Sequence, residues 1–364
     1  MSKRTVEAWF QTAILEAIHP KDSPTSDFEG RLSAAVEKIR HRLKEPPATY
    51  DVMLPVQGMS TVGLPLLFGS ISFFIFTDET CQELSEILEA GTASEDAKAR
   101  RATIIDEMRA DVESRVFARV SVKAVDESSA RLIATRDVRL VLDAINFIGF
   151  FVPYNNGQVS LPGDSATAQV VLPVIRRGEK PAVRITYSTV KPYSELKLEK
   201  FVQLEDIPLL QAVESLLNRP KGRLQAALLS AVQWAGRSAT EKRNEEAFLL
   251  LVVALEALLL CDGNPSELNY RLRIRLAHLL GGTFQQRASI AKAMSALYTT
   301  RSQIVHAGKT EVTDSELSLI RAFTTSAIYR VLVEPPFTNM VTPDHFREWF
   351  DSRILGQETG ASPP

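Results

Sequence analysis

The chain has 364 residues, of which 45% are hydrophobic and 24% are charged, and its formal net charge is −2. This composition is typical of a globular protein and excludes overall basicity as the means of binding nucleic acid, so any such surface must be a local patch. The two cysteines, Cys81 and Cys261, do not form a CxxC pair, which argues against a disulfide framework and a cysteine-based zinc site.

Two apolar segments, residues 62–76 and 247–261, are both shorter than the roughly 20 residues that a membrane-spanning helix requires. The first is interrupted by Pro65 and Gly69, and the second contains Glu256. The opening sequence MSKRTVEAWF lacks the apolar core of a secretory signal. We therefore expect a cytoplasmic protein that has no membrane partner.

Residues 1–111 are predicted to form a mixed region of helices and strands. Two segments within residues 1–45 have helical periodicity, and the turn-rich sequence HPKDSPTSD separates them. After Pro46 and Pro47, the apolar and aromatic sequence MSTVGLPLLFGSISFFIFTD favours one or two buried strands. Residues 81–115 return to helical composition around a polar loop, GTASEDAKARR.

Residues 112–205 are predicted to form a small α/β domain. The alternating sequence VFARVSVKAVD predicts a strand, and SSARLIATRDVRLVLDAINFIGF predicts an amphipathic helix. Two further strands are predicted in ATAQVVLPVIRRG and PAVRITYSTV, which are bounded by turn sequences. Residues 1–210 contain neither a glycine-rich phosphate loop nor a catalytic pattern.

From residue 206 onward the strand signals disappear, and residues 206–350 are predicted to form an all-α helical bundle. Successive segments have helical periodicity, with glycine or other turn residues at each joint. Residues 351–364 are predicted to be a flexible tail. The predicted fold class is therefore α+β, in which a mixed α/β N-terminal region is followed by a C-terminal helical bundle.

Glu256 lies in a helix, predicted over residues 247–260, that is otherwise apolar on every face and therefore belongs in the middle of the bundle. An ionised carboxylate there requires a cation, because leaving it unpaired costs several kcal/mol. The arginines available to it are Arg271, Arg273, Arg275 and Arg301. Two interpretations stay open: a structural salt bridge, which is the commoner arrangement, or a residue that positions a catalytic arginine or histidine.

Arg271, Arg275 and His278 share one face of the next predicted helix, at offsets of four and seven residues. The two arginines, together with Lys309, are candidates for contacts with nucleic-acid phosphates. The alternative is a solvated face whose cations pair with carboxylates.

The sequence LYTTRSQIVHAGK, residues 297–309, combines an arginine and a histidine with the chemistry of phosphate transfer. The planar guanidinium of Arg301 can bind two phosphate oxygens, and an imidazole such as that of His306 suits proton transfer near neutral pH. Gly308 is predicted to end the helix, which places His306 in its last turn, where the helix C-terminus favours the imidazolium form.

The five-residue offset between Arg301 and His306 rotates their side chains by about 140° around an ideal helix. The two groups therefore do not automatically reach one atom. Two explanations stay open at this point. Either the helix is distorted near His306, or a second copy of the motif completes the site across a dimer.

The succession AFLLLVVALEALL, SELNYRLRIRLAHLLG and LYTTRSQIVHAGK resembles the Apea-like branch of the HEPN superfamily, over roughly residues 240–335. Arg301 and His306 stand at the two hallmark positions of that family's R-x4–6-H motif, and Ser302 stands where the family frequently has Asn or Asp. The resemblance implies a helical bundle that dimerises, so that two motifs face one cleft. It also implies a metal-independent endoribonuclease, often an effector of prokaryotic antiphage or toxin systems.

The chemistry that the resemblance implies needs no cofactor and no metal ion, because the 2′-hydroxyl of the RNA attacks the adjacent phosphorus. His306 would transfer the proton, Arg301 would stabilise the developing charge, and Ser302 and Glu256 would support them. The expected partners are RNA, a second copy of the chain, and a phage component or nucleotide sensed by the N-terminal region. The alternative is a HEPN module that binds RNA or dimerises without cleaving. No metal-ligand spacing links the other histidines, which are His19, His41, His278 and His345.

Overall fold

The computed structural model describes most of the chain from residue 46 onward. The described residues are 30, 33–34, 36–37, 40, 46–61, 63–90, 116–152, 157–161, 168–177, 182–190, 196, 207–218, 222–263, 267–308 and 311–356. The helices predicted within residues 1–45 lie largely outside this part of the chain, and the polar loop predicted at residues 91–101 lies wholly outside it.

The described residues of the N-terminal region form one antiparallel sheet. Its strands are β1 (Ala48–Val56), β2 (Leu66–Phe68), β3 (Ile71–Ile75), β4 (Val116–Ala124), β5 (Ala168–Arg177) and β6 (Ala182–Val190). Their order across the sheet is β2-β3-β4-β1-β5-β6, and neighbouring strands run antiparallel. The strands predicted in residues 59–78, 116–126 and 166–190 are confirmed.

Strand β1, near the middle of the sheet, is not among the predicted strands. The last seven of its nine residues are buried, so it lacks the alternation that marks a half-buried strand. Its buried Asp51 accepts a hydrogen bond from Arg119 of β4 at 3.0 Å, which compensates the carboxylate. Because β1 pairs with both β4 and β5, the predicted boundary between residues 111 and 112 divides a single sheet.

In chain order, helix α1 lies between β3 and β4, helix α2 lies between β4 and β5, and the remaining helices follow the last strand. They are α1 (Asp78–Ala90), α2 (Glu127–Gly149), α3 (Ile207–Asn218), α4 (Arg223–Ser238), α5 (Asn244–Leu259), α6 (Leu268–Leu280), α7 (Phe284–Ala307), α8 (Asp314–Val333) and α9 (Pro343–Ile354). The described residues from 207 onward form helices and no strand. The α+β class is confirmed, with the helical part placed after the sheet.

The sheet and the bundle share one hydrophobic core, and α2 joins them. This helix packs against β4 and β1 on one side and against α4 on the other. At the crossing with α4, a Cβ atom on Gly236 would lie 1.7 Å from the backbone oxygen of Asp143, so only glycine permits this close approach. The predicted small domain is therefore not packed independently of the bundle.

Helix α5 lies in the middle of the bundle, as its apolar composition predicts, and packs against α4 and α8 with buried residues from Ala247 to Leu259. At the other end of the chain, α9 extends to Ile354 and buries Phe346 and Phe350. The predicted tail at residues 351–364 is therefore corrected, because its first four residues are helical; residues 357–364 lie outside the described part. Among the described helices, none combines the length and the apolar character needed to cross a bilayer.

Candidate functional site

Helix α7 carries Arg301, Ser302 and His306 near its C-terminal end. The helix begins at a capping box, in which the Thr283 side chain accepts a hydrogen bond from the backbone N–H of Gln286 and the Gln286 side chain accepts one from Thr283. It ends at Gly308, whose φ of 66° is the left-handed conformation that favours glycine. His306 lies in the last turn, as the sequence predicts.

The helix remains α-helical through Ala307, so the distortion considered for the region of His306 is not observed. The regular backbone keeps the side chains of Arg301 and His306 about 140° apart around the axis. Ser302 and His306 are exposed, whereas the Arg301 side chain is 26% exposed. One copy of α7 therefore presents the two groups to different surroundings.

Arg301 pairs with Glu256 of α5, the carboxylate that interrupts the apolar helix. Its Nη2 lies 3.7 Å from Glu256 Oε1, and the two side chains are 26% and 22% exposed. This separation exceeds the 2.7–3.2 Å of a direct hydrogen bond. Oε1 is buried and accepts no hydrogen bond from the described residues. Arg301 and Glu256 therefore attract each other electrostatically without a direct hydrogen bond between these two atoms. The guanidinium can still donate hydrogen bonds to another anion.

Tyr298 completes this group, although it is not among the site residues predicted from the sequence. The Arg301 guanidinium lies 5.7 Å from the centre of the Tyr298 ring, within cation–π range. Burial raises the pKa of the Tyr298 phenol, and the nearby Glu256 carboxylate raises it further against the opposing effect of Arg301. The available signal was the three-residue offset, which places Tyr298 and Arg301 side by side on a helix. We call Glu256, Tyr298 and Arg301 the Glu256 cluster.

A second set of polar contacts fixes the end of α7 against the start of α8. The Thr300 hydroxyl donates to Glu316 Oε1 at 2.9 Å, next to Arg301 in the sequence. The other oxygen of Glu316 accepts from the backbone N–H of Thr313 at 2.9 Å, in the capping box that begins α8. These bonds hold the start of α8 against the C-terminal part of α7.

Arg271 and Arg275, which the sequence predicts to contact phosphates, are instead paired with a carboxylate inside the bundle. Both guanidinium groups bind Asp262, and the side chains of Arg271 and Arg275 are only 14% and 7% exposed. Arg275 also donates to the backbone oxygen of Leu259 at 2.6 Å. We call this arrangement the Asp262 cluster. Its cations pair with a carboxylate, as in the alternative interpretation, but they are largely buried and do not form the solvated face expected there. Arg275 is buried and cannot reach a surface ligand, and Lys309 lies outside the described residues.

Burial acts to raise the pKa of the Asp262 carboxyl, but hydrogen bonds from Arg275 and Arg271 outweigh it and hold the pKa below its usual value. The structure thus brings Glu256 to Arg301 and leaves Arg271 and Arg275 in a separate ionic group. His278, the third member of the predicted basic stripe, is partly buried and belongs to neither cluster.

No group of three or more His, Cys, Asp or Glu side chains that could hold a metal ion is found in the described part of the chain. Compared with protein-family models, curated proteins and solved structures, the chain shows no significant match to any of them.

Proposed function

We propose that this protein is a metal-independent endoribonuclease of the HEPN type, whose helical bundle carries Arg301 and His306 as the residues that act on RNA. The observation that carries the proposal is the arrangement on α7: Arg301 lies 3.7 Å from Glu256, and an exposed His306 lies in the last turn of the same helix. The helices α5, α6 and α7 follow one another in the order that the resemblance implies.

In the proposed reaction the ribose 2′-oxygen bonds to the adjacent phosphorus, and the bond from phosphorus to the 5′-oxygen breaks. The products are a 2′,3′-cyclic phosphate and a free 5′-hydroxyl. His306 accepts the proton of the 2′-hydroxyl and returns it to the departing 5′-oxygen, and the Arg301 guanidinium stabilises the charge that develops on the phosphoryl oxygens. Glu256 and Tyr298 orient Arg301, because one attracts its charge and the other supports its planar face.

The proposed active assembly is a homodimer through the bundle. A straight α7 directs Arg301 and His306 to different sides, so a second copy of the helix is the natural source of the missing group. Val305, which precedes His306, is 51% exposed and offers apolar surface at this place. The exposed Ser302 lies one residue after Arg301 and is available to hydrogen-bond the RNA.

We further propose that the protein is the effector of a prokaryotic antiphage or toxin-like system, with the N-terminal region regulating the nuclease in response to a phage component or a nucleotide. The support for this regulation is the joint between α2 and α4. Because α2 packs tightly on both the sheet and α4, a displacement of the sheet region would be transmitted to the bundle.

The first test incubates the purified full chain with end-labelled RNA in EDTA and identifies the product ends. We expect 2′,3′-cyclic phosphate ends from the parent protein and no cleavage by Arg301→Ala or His306→Ala. Equal cleavage by either variant, or strict dependence on Mg²⁺, would overturn the proposal. RNA binding by the parent without any products would support a non-catalytic HEPN module instead.

A second test decides whether the site is shared between two copies. Arg301→Ala and His306→Ala proteins are unfolded together, refolded as a mixture and assayed. If each site takes its arginine from one copy and its histidine from the other, half of the dimers regain one site, and activity returns to about a quarter of the parent's. A site contained within one copy predicts no recovery.

A further inference from the structure

Three arginines from three different helices meet at the C-terminal end of α6. Arg330 of α8 donates from Nη1 to the backbone oxygen of Leu279. The stem of Arg287, in the first turn of α7, lies against the same end, because a Cβ atom on Gly281 would lie 2.7 Å from its Cγ. Arg353 of α9 is the third member of this group, which we call the arginine cluster.

Arg353 approaches α6 from α9, the last helix. Its guanidinium lies 4.6 Å from the centre of the Trp349 ring, and Trp349 in turn packs edge-on against Phe350. Burial lowers the pKa of Arg353, and the positive charges of Arg330 and Arg287 lower it further. The three cations are therefore close enough to repel one another.

His278 of α6 is adjacent to this group and responds to it. Burial lowers the pKa of the His278 imidazole, and the charges of Arg287 and Arg353 add to that effect. An imidazole cannot supply the negative charge that would compensate the arginines, and the Nδ1 of His278 is buried without a hydrogen-bond partner among the described residues.

Among the described residues, a carboxylate pairs with one of these three cations, and the other two have none. Arg330 forms an ion pair with Glu334, with Nε and Oε2 2.8 Å apart. Arg287 and Arg353 form no ion pair with any residue that the structure describes. The Leu279 carbonyl and the Trp349 ring explain how the folded protein tolerates the cations, because both are electron-rich. They do not supply the full negative charge that two unpaired guanidinium groups attract most strongly.

The position of the cluster relative to Arg301 indicates which anion it binds. Arg287 and Arg301 are fourteen residues apart on one regular helix. That spacing corresponds to about 21 Å along the axis and about 40° around it, so the two arginines project toward similar sides of α7. A stacked nucleic-acid strand advances about 3.4 Å per nucleotide, so roughly six nucleotides cover this distance.

We propose that Arg287, Arg330 and Arg353 bind the backbone phosphates of an RNA strand that extends along α7 from the site at Arg301 and His306. The identity of the polyanion rests on the proposed function, whereas the binding surface does not. The arginine cluster anchors the strand without contributing to the chemistry. RNA long enough to reach both ends of α7 is bound more tightly than RNA that reaches only one.

The test measures binding of fluorescent single-stranded RNA by anisotropy in a His306→Ala background, which prevents cleavage under the proposed function. Introducing Arg287→Gln and Arg353→Gln together should weaken binding of a 12-nucleotide RNA at least tenfold. The slope of log affinity against log salt should fall by about 0.7 for each phosphate that the variant no longer neutralises. The matched control is Arg347→Gln, since Arg347 lies on α9 as well but pairs with Asp344 at 3.0 Å.

Two further measurements use protein in which the arginine cluster is intact. Their results therefore do not depend on whether the variants fold. Binding should strengthen steeply between RNAs of 4 and 12 nucleotides. The His278 imidazole, followed by NMR during a pH titration, should show a raised pKa when RNA is bound, because an anion then offsets Arg287 and Arg353.

The possible results separate this inference from the proposed function. Parent-like RNA binding by the double variant, or no dependence on RNA length, would overturn the inference while the nuclease proposal stands. Equally tight binding of inorganic phosphate and of the 12-nucleotide RNA at the cluster would also overturn it, in favour of a small-anion site. Absence of any RNA binding by the parent protein would overturn both.

Discussion

The bundle contains two acid–arginine groups near the same end of α5, and they differ in how completely they are satisfied. In the Asp262 cluster, one carboxylate that is 5% exposed binds two arginines, one of which also binds a backbone oxygen. In the Glu256 cluster, the ion pair is 3.7 Å long, its side chains are about a quarter exposed, and one buried oxygen accepts no hydrogen bond from the residues that the structure describes.

This difference shows why arginine content alone does not locate a phosphate-binding site. A guanidinium whose donors are already used, and which is removed from solvent, stabilises the fold and cannot bind a ligand. A guanidinium that is oriented by a carboxylate but not saturated by it is prepared to bind another anion. By this criterion Arg301 is the functional candidate and Arg275 is structural.

The largest effect on catalysis is expected at the Glu256 cluster. Arg301→Gln should lower the rate of RNA cleavage by about 100-fold or more, because it removes charge stabilisation from the transition state. The unfolding free energy should change by less than about 1 kcal/mol, because the Glu256 side chain is 22% exposed and water can hydrate it once Arg301 is replaced, unlike the fully buried carboxylate expected from the sequence. Single-turnover cleavage and urea unfolding measure the two quantities. The control is Arg243→Gln, in an exposed pair with Glu246 at 3.4 Å, and a comparable loss of cleavage there would contradict the assignment.

The opposite pattern is expected at the Asp262 cluster. Asp262→Ala leaves Arg271 and Arg275 as uncompensated, largely buried cations, which should lower the unfolding free energy by about 3–5 kcal/mol. Cleavage per folded molecule should stay close to that of the parent at a temperature where the variant is folded. If Asp262→Ala and Glu256→Gln destabilised the protein equally, the distinction between the two clusters would not hold.

Acid should weaken the Asp262 cluster in a defined direction. Because the folded protein holds the pKa of Asp262 below its usual value, this stabilisation is present above the unfolded-state pKa of about 4. It is lost as the pH falls from there through the lower, folded-state pKa. Urea midpoints between pH 7 and pH 2.5 should therefore fall more steeply in the parent than in Asp262→Asn. Identical slopes in the two proteins would show that Asp262 does not contribute to acid sensitivity.

The smallest expected effect concerns Tyr298. Tyr298→Phe keeps the ring near Arg301 but removes the hydroxyl near Glu256, so cleavage should fall by about threefold to tenfold, with a stability change of about 0.5–1.5 kcal/mol. Tyr270→Phe is the matched control, because Tyr270 also lies near an arginine, 5.3 Å from Arg273, but outside the site. An equal effect of the two changes would show that the Tyr298 hydroxyl has no special role.

Much of the fold could be predicted from local patterns, because they report on single elements. The alternation in β4, the amphipathic period of α2 and the glycine that ends α7 each indicate one element without reference to the others. The central strand β1 could not be found in this way, because a strand buried on both faces shows an apolar run instead of alternation. The domain boundary predicted between residues 111 and 112 falls inside the sheet, because pairing between strands that are far apart in the sequence produces no pattern within either strand.

The candidate site divides along similar lines. Three features could be predicted from local patterns alone: the helix that ends at Gly308, the position of His306 in its last turn, and the pairing of Glu256 with a cation. Helix periodicity and the cost of an unpaired charge are properties of a short stretch of chain. Which arginine pairs with each carboxylate could not be predicted, because it depends on how α5, α6 and α7 pack against one another. Packing gave Arg271 and Arg275 to Asp262, left Arg301 loosely held by Glu256, and added Tyr298 to the same group.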